Sequence, residues 1–154
     1  MERIACLFIG YLFGMFQTSY IIGKIHHMDI RQYGSGNAGT TNALRTLGKK
    51  AGAMTLIGDM LKCVIAILIV DAVFKNRYQE ILPLLGMYTA AGCVLGHNFP
   101  FYLGFRGGKG IAASAGMLLA MDWRVFLICA VIFIGLVAIT RYVSLGSMAA
   151  YVGA

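Results

Sequence analysis

Long apolar runs separated by short polar stretches dominate the chain. The first, IACLFIGYLFGMFQTSYII at residues 4–22, carries no charge, and its 19 residues at about 1.5 Å each cover a bilayer core of roughly 30 Å. Further runs lie near 51–74, 81–99, 111–121 and 125–140, and a sixth opens at Val143 and is still running at Ala154. The 111–121 run has only 11 residues, the length of a half-helix or of a steep segment buried by its neighbours. The pattern predicts an all-α polytopic transmembrane bundle with about five complete or partial spans and an unfinished sixth.

Composition strengthens that reading. Of 154 residues, 59% are hydrophobic and 12% charged, and the mean hydropathy of +0.76 is far above that of a solvated domain. A cleaved signal peptide fits the first run poorly. Its apolar part is too long, Glu2 dilutes the basic start, no A-x-A-like site follows, and other long runs come later. Glycines inside the runs (Gly10, Gly14, Gly86, Gly92, Gly96, Gly116, Gly135) predict close helix packing. The chain shows no soluble domain, low-complexity linker or internal repeat.

Charge gives an orientation. With the N-terminus outside, Lys24, Arg31, Arg45, Lys49, Lys50, Arg106, Lys109 and Arg141 fall inside, against Arg3, Lys75, Arg77 and Arg124 outside, while Lys62 lies within a span. This excess places the polar loops on the cytoplasmic face. The net charge of +7 then reflects topology and attraction to anionic lipid heads or phosphorylated substrates, and not a nucleic-acid surface. Cys6, Cys63, Cys93 and Cys129 sit in apolar runs with no C-x-x-C spacing, and His26, His27 and His97 form no i, i+4 pair, so neither zinc nor another metal is expected.

The polar stretches carry the candidate chemistry. GSGNAGTTNALR, residues 34–45, satisfies G-x-G-x-x-G, and Asp59 follows at a dinucleotide spacing, but no buried strand precedes it and Asp59 lies in an apolar helix. What remains is a loop whose glycines let main-chain amides approach an anion, with Ser35, Asn37, Thr40, Thr41 and Asn42 as short neutral donors and Arg45 as a forked cation. The plainer alternative is a glycine-rich connector capped by Thr41 or Asn42 ahead of a short helix at ALRTLGKK. A second stretch, GHNFPFYLGFRGGKGIAAS at 96–114, again sets glycines beside cations. Gly107, Gly108, Lys109 and Gly110 suit a phosphate cradle at the N-terminus of the next helix. It is no Walker loop, because Leu103 and Gly110 stand where that motif needs glycine and Ser/Thr. A third patch, RYVSLGS, adds Arg141, Ser144 and Ser147 on the same face. Within the spans, Asp59 and Lys62 stand i, i+3 and can pair, with a substrate role for Lys62 as the alternative. His97 is either a general base or a partner for a loop carbonyl. Tyr20, Tyr102, Trp123 and Tyr142 suit interfacial anchors.

GSGNAGTTNALR, DMLK, GHNFPFYLGFRGGKG and RYVSLGS, in that order, resemble the bacterial integral-membrane glycerol-3-phosphate acyltransferases that use acyl phosphate as donor, over nearly the whole chain. GTTN stands where that family more often has Gly-Ala-Thr-Asn, and Arg106 where it often has lysine. The resemblance implies acyl transfer from acyl phosphate to the sn-1 hydroxyl of glycerol 3-phosphate, giving lysophosphatidic acid at the bacterial inner membrane without metal or other cofactor. A soluble enzyme that makes acyl phosphate is an implied partner. By the resemblance Ser35 and Arg45 are the catalytic-motif residues, and Gly36, Asn37, Thr41 and Asn42 of the same loop are expected to bind substrate. Gly107 to Gly110 with Lys109 and Arg106 form the glycerol-phosphate loop, while Arg141, Ser144 and Ser147 are polar neighbours. An acyl phosphate brings its own good leaving group, so the protein has mainly to hold two anions together and stabilise a tetrahedral oxyanion. The hydroxyl proton goes to His97 or to the donor phosphate, the latter preferred. The H-x-x-x-x-D signature of other acyltransferases is missing, since Arg31, Gln32 and Tyr102 stand five residues after the histidines. The family also continues into a polar tail with a His, Asn, Arg-Leu and Gly-Glu pattern. This chain ends at YVGA within its sixth run, which implies a single transmembrane acyltransferase domain over 1–154, shortened at its C-terminus.

Two rivals remain. A transporter or channel subunit for an anionic phosphorylated solute would line a route across the bilayer with charge, yet the polar groups gather at one face. A CDP-alcohol phosphotransferase would need clustered metal-binding aspartates, whereas Asp29, Asp59, Asp71 and Asp122 are dispersed.

Overall fold

The computed structural model describes residues 1–152, apart from the Tyr151 side chain. All regular structure among them is helical: α1 (Glu2–Gly14), α2 (Thr18–Ile25), α3 (Thr40–Leu47), α4 (Lys49–Phe74), α5 (Leu82–Asn98), α6 (Ile111–Met121), α7 (Trp123–Thr140) and α8 (Val143–Val152), with short 3-10 turns at Ile30–Gln32, Gln79–Ile81 and Phe101–Leu103. The chain divides into two compact units, Met1–Met117 and the residues from Leu118 on. Glu2–Ile25, Lys49–Phe74 and Trp123–Thr140 are long and apolar enough to cross a membrane. Large apolar side chains face outward along them, among them Phe8, Leu12, Leu61, Leu68, Val131 and Ile134, as lipid contact requires.

The first apolar run is not one helix. It breaks at Met15–Gln17 into α1 and α2, with Gln17 extended at φ −102° and ψ 95°. A break at membrane depth is tolerated only if the freed carbonyls find donors. Here they do. Tyr102 Oη donates to the Met15 carbonyl (2.8 Å), and Lys62 Nζ donates to that of Phe16 (2.6 Å). The expected helix at ALRTLGKK is likewise divided, because Gly48 (φ +91°) ends α3 and α4 begins at Lys49.

In the first unit α1 lies directly on α5. Each helix carries two glycines four residues apart, Gly10 and Gly14 on α1 and Gly92 and Gly96 on α5, and a Cβ at any of the four would overlap the partner's backbone. With no hydrophobic effect to drive helices together in lipid, such close approach supplies the packing. Gly116 of α6 meets the Met60 carbonyl of α4 in the same way. Gly86 and Gly135 do not share this role: a Cβ at Gly86 would make only an ordinary contact with Ile67, and one at Gly135 would meet open space among the described residues. In the second unit α7 and α8 pack together through Gly146 against Phe133 and Val137, and Cys129 Sγ donates to the Ala150 carbonyl (3.5 Å).

Arg31 clamps the loop after α2 to the loop after α5. Its Nε and Nη2 both donate to Asp29 (3.0 and 2.7 Å), its Nη1 donates to the Leu103 carbonyl (2.7 Å), and its guanidinium lies 5.2 Å from the Tyr20 ring centre. The hydrogen bonds from Arg31 hold the Asp29 carboxyl below the usual carboxylate range.

The fold generates two predictions. Gly10→Leu should lower stability by about 1–3 kcal/mol or more through overpacking against α5, whereas Gly135→Leu should leave it within about 0.5 kcal/mol, as measured by thermal unfolding in detergent. Because the folded Asp29 carboxyl titrates below its unfolded value of about 4, its contribution is complete above that pH and is lost as pH falls through the depressed value. Asp29→Asn should therefore cost about 1 kcal/mol at pH 7, with the difference from the unaltered chain shrinking in melts below about pH 4.

Candidate active site

The first polar stretch folds around Asn42, 1% exposed at the start of α3. Its Oδ1 accepts from the Ser35 amide (2.9 Å), and its Nδ2 donates to the carbonyls of Ile30 and Tyr33 (both 3.0 Å). Gly34, at φ +59°, passes so close that a Cβ would overlap Asn42 Oδ1. Gly36, at φ +70°, closes a turn onto the Tyr33 carbonyl. Asn42 thus organises the loop, and its amide is engaged by main chain instead of being free for an anion. The N-cap of α3 is Gly39, with no side-chain cap, so neither Thr41 nor Asn42 plays the capping part. Ser35 and Arg45 are exposed, Asn37 and Thr41 half-buried.

The second polar stretch doubles back on the end of α5. The amides of Gly107 and Gly108 donate to the carbonyls of Asn98 and His97 (both 3.0 Å), which caps α5 and engages two of the amides expected for a phosphate cradle. Glycine is required at both: a Cβ would overlap the His97 carbonyl at Gly107 and His97 Nε2 at Gly108. Gly110, at φ +77°, turns the chain into α6, and a Cβ there would sit 2.9 Å from Val94 and 3.0 Å from Asn98 Oδ1. The amides of Lys109 and Gly110 make no hydrogen bond among the described residues, and the first turn of α6 adds further amides without intrahelical partners. Arg106 and Lys109 are exposed.

The two stretches are joined. The Ala38 amide donates to the Gly107 carbonyl (3.3 Å), and the Arg31 bond to Leu103 ties their flanks. The stretch that carries Ser35, Gly36, Asn37, Thr41, Asn42 and Arg45 is thereby tied, at Ala38, to the stretch that carries Arg106, Gly107, Gly108, Lys109 and Gly110. Arg141, Ser144 and Ser147 belong to the second unit. There Arg141 (φ +59°) ends α7, Ser144 is exposed, and Ser147 Oγ donates to the Ser144 carbonyl (2.9 Å).

Behind the second stretch lies a buried polar cluster. Lys62, 4% exposed, donates to Phe16 O (2.6 Å), Asp59 Oδ1 (3.0 Å) and His97 Nδ1 (2.7 Å). The Asp59–Lys62 pair expected from spacing forms, reinforced by Thr18 Oγ1 at 3.1 Å. The His97 ring meets Lys62 instead of a loop carbonyl. Its main-chain carbonyl accepts from Gln17 Nε2 (2.7 Å) as well as from Gly108. Sequence reasoning overlooked Gln17, Thr18 and the Asp29–Arg31 clamp. The available signal was Gln-Thr-Ser, three polar residues together inside an otherwise apolar run.

Comparison with known proteins accounts for this arrangement. A family model for glycerol-3-phosphate acyltransferase matches residues 4–154. The chain is 56% identical over 142 residues to a glycerol-3-phosphate acyltransferase of Clostridioides difficile (strain 630), covering 91% of this chain and 69% of the relative. It is 46% identical over 154 residues to that of Lactiplantibacillus plantarum, covering 98% and 71%. The crystal structure of PlsY, an integral membrane glycerol 3-phosphate acyltransferase, in its glycerol 3-phosphate form matches with a TM-score of 0.84 at 35% identity, over 99% of this chain and 74% of that one. Its lysophosphatidic acid form gives 0.82 at 34% identity, over 99% and 73%. With that likeness running through the helices and both polar stretches, the chain belongs to the glycerol-3-phosphate acyltransferase family, the integral membrane acyltransferases that act on glycerol 3-phosphate.

Proposed function

We propose that this chain transfers a fatty acyl group from acyl phosphate to the sn-1 hydroxyl of glycerol 3-phosphate, releasing phosphate and forming lysophosphatidic acid, with both polar stretches on the cytoplasmic face of the inner membrane. The observation that supports the reading is the bond between the two stretches, Ala38 to Gly107, which joins the loop that carries Ser35 to the loop that carries Arg106 and Lys109. Lys109, its own amide and that of Gly110, and the open first turn of α6 receive the phosphate of the glycerol substrate, with Arg106 adjoining. Ser35 and Arg45 act on the acyl phosphate, where a forked guanidinium suits both the phosphate and the oxyanion that develops at the acyl carbon. The solved relative's glycerol 3-phosphate and lysophosphatidic acid forms are consistent with this substrate and product.

The leaving phosphate takes the hydroxyl proton. His97 is poorly placed for that task, being 2% exposed with Nδ1 held by Lys62. Donor identity is tested with purified protein in detergent, offered glycerol 3-phosphate with acyl phosphate or with acyl-CoA. Turnover with acyl phosphate alone is expected, and turnover with acyl-CoA alone overturns the donor assignment.

Removing one charge-assisted contact to phosphate costs roughly 1.5–3 kcal/mol, so Lys109→Ala should raise KM for glycerol 3-phosphate about 10- to 150-fold, and adding Arg106→Ala should raise it further. Ser35→Ala and Arg45→Ala should act mainly on kcat. If Lys109→Ala weakens acyl phosphate instead, the two anion sites are assigned the wrong way round. The orientation is checked separately. Single cysteines at Thr46 and Phe105 in a cysteine-free background should resist a membrane-impermeant thiol reagent in intact cells, and labelling of either from outside reverses the topology.

A further inference from the structure

The Lys62 ammonium has three protons and no acceptor, so whatever meets it must accept. Of its partners, Phe16 O and Asp59 Oδ1 are acceptors already. His97 Nδ1, at 2.7 Å, must therefore present a lone pair, which places the ring's proton on Nε2. An imidazole with its proton on Nδ1, or a doubly protonated one, would set N–H against N–H. The Nε2 edge so fixed occupies the space a Gly108 side chain would need, and the main-chain carbonyl of the same histidine receives the Gly108 amide. Ring and main chain of His97 thus both meet Gly108 of the loop carrying Lys109, beside the contacts that Asn98 and Val94 make with Gly107 and Gly110. The orientation of His97 in turn depends on the buried Lys62 cation at 2.7 Å, with Asp59 Oδ1 farther from the same nitrogen at 3.8 Å.

We propose that Lys62 is a positioning residue for glycerol 3-phosphate binding: it locks His97 as the neutral Nε2–H tautomer, so that His97 serves as a fixed wall for the Gly107–Lys109 loop and not as a base. The inference rests on the reading that this loop takes glycerol 3-phosphate. It also assigns Lys62 and His97 work that involves no contact with substrate. Lys62 lies beneath the loop at 4% exposure, with every proton engaged by protein. Loss of the lock frees the ring to rotate or exchange tautomers and blurs the loop, which weakens the acceptor substrate while leaving the groups that act on acyl phosphate in place.

The test uses the full chain in detergent with nitrogen-15-labelled histidine. The ring signal of His97, identified by its loss in His97→Gln, should show a single Nε2–H tautomer. Lys62→Met should shift that signal toward a tautomer mixture and raise KM for glycerol 3-phosphate about tenfold or more, with a smaller change in kcat. Lys62→Arg, which keeps a cation, should recover part of the KM. Lys62→Met strands Asp59, so the charge-free pair Asp59→Asn with Lys62→Met is measured alongside, and it should reproduce the same tautomer shift and KM rise. An Nδ1–H signal in the unaltered chain overturns the proposal with no variant needed. So does a folded double variant with unchanged tautomer and KM, which would leave Lys62 a stabilising ion-pair member only. Lys109→Ala keeps the two readings apart. If it leaves KM for glycerol 3-phosphate unchanged, the substrate assignment of the loop fails, while the tautomer result still judges the Lys62 lock.

Discussion

A lone ammonium in an apolar interior costs several kcal/mol, and the first unit is arranged so that Lys62 never stands alone. Its charge is balanced by Asp59 one turn away on α4, but Asp59 accounts for only one of three protons. The second goes to the carbonyl of Phe16, which is available because the first apolar run breaks there, and the third to His97 at the far end of α5. Break and lysine require each other. An unbroken helix would leave Lys62 short of an acceptor, and a break without Lys62 would leave the Phe16 carbonyl bare at membrane depth.

That meeting of three segments needs α1 and α5 to lie backbone against backbone. The glycine pairs at 10 and 14 and at 92 and 96 remove the side chains that would hold them apart. The end of α5 then reaches the Met15–Gln17 break closely enough for Gln17 to bond the His97 carbonyl and for Tyr11 Oη to donate to that of Phe99 (2.8 Å). Small residues in lipid therefore do more than pack two helices. They bring the loop at the end of one helix to the broken middle of another.

Much of this was legible in the sequence, and the rest fails to be for one reason. Hydropathy located the helices, and the 111–121 run is a helix over that range. Spacing located the Asp59–Lys62 pair, and glycine-and-cation composition located both loops. These are local signals, complete within a few residues of chain. The break at Met15–Gln17, the engagement of Asn42 by its own loop, and the clamp of Arg31 on Leu103 depend on which distant group receives a freed donor or acceptor. Lys62 meets Phe16 across 46 residues and Gln17 meets His97 across 80. Periodicity carries no information at that range. The amides of Gly107 and Gly108 mislead for a related reason: a glycine-rich loop looks the same whether its N–H groups await a ligand or cap the preceding helix.

The loop caps the preceding helix and is proposed to cradle a phosphate, and the division between the two follows helix electrostatics. The C-terminus of α5 carries partial negative charge on its last carbonyls, which would repel a phosphate held nearby. Gly107 and Gly108 cover the carbonyls of Asn98 and His97, and Gln17 adds a second donor to the latter. Three residues later the chain enters α6, whose N-terminal end carries the opposite partial charge, and the amides of Lys109 and Gly110 leading into it make no hydrogen bond among the described residues. Within four residues the backbone thus masks a negative helix end and exposes a positive one, with Arg106 and Lys109 on either side of the two capping glycines. Each glycine in the loop has its own cause: the first two lie against His97, and Gly110 turns the chain at positive φ so that α6 starts beside the end of α5 instead of beyond it. A side chain at any of them would disturb the capped end before it disturbed the open one, so the proposed anion site depends on the integrity of the helix that precedes it.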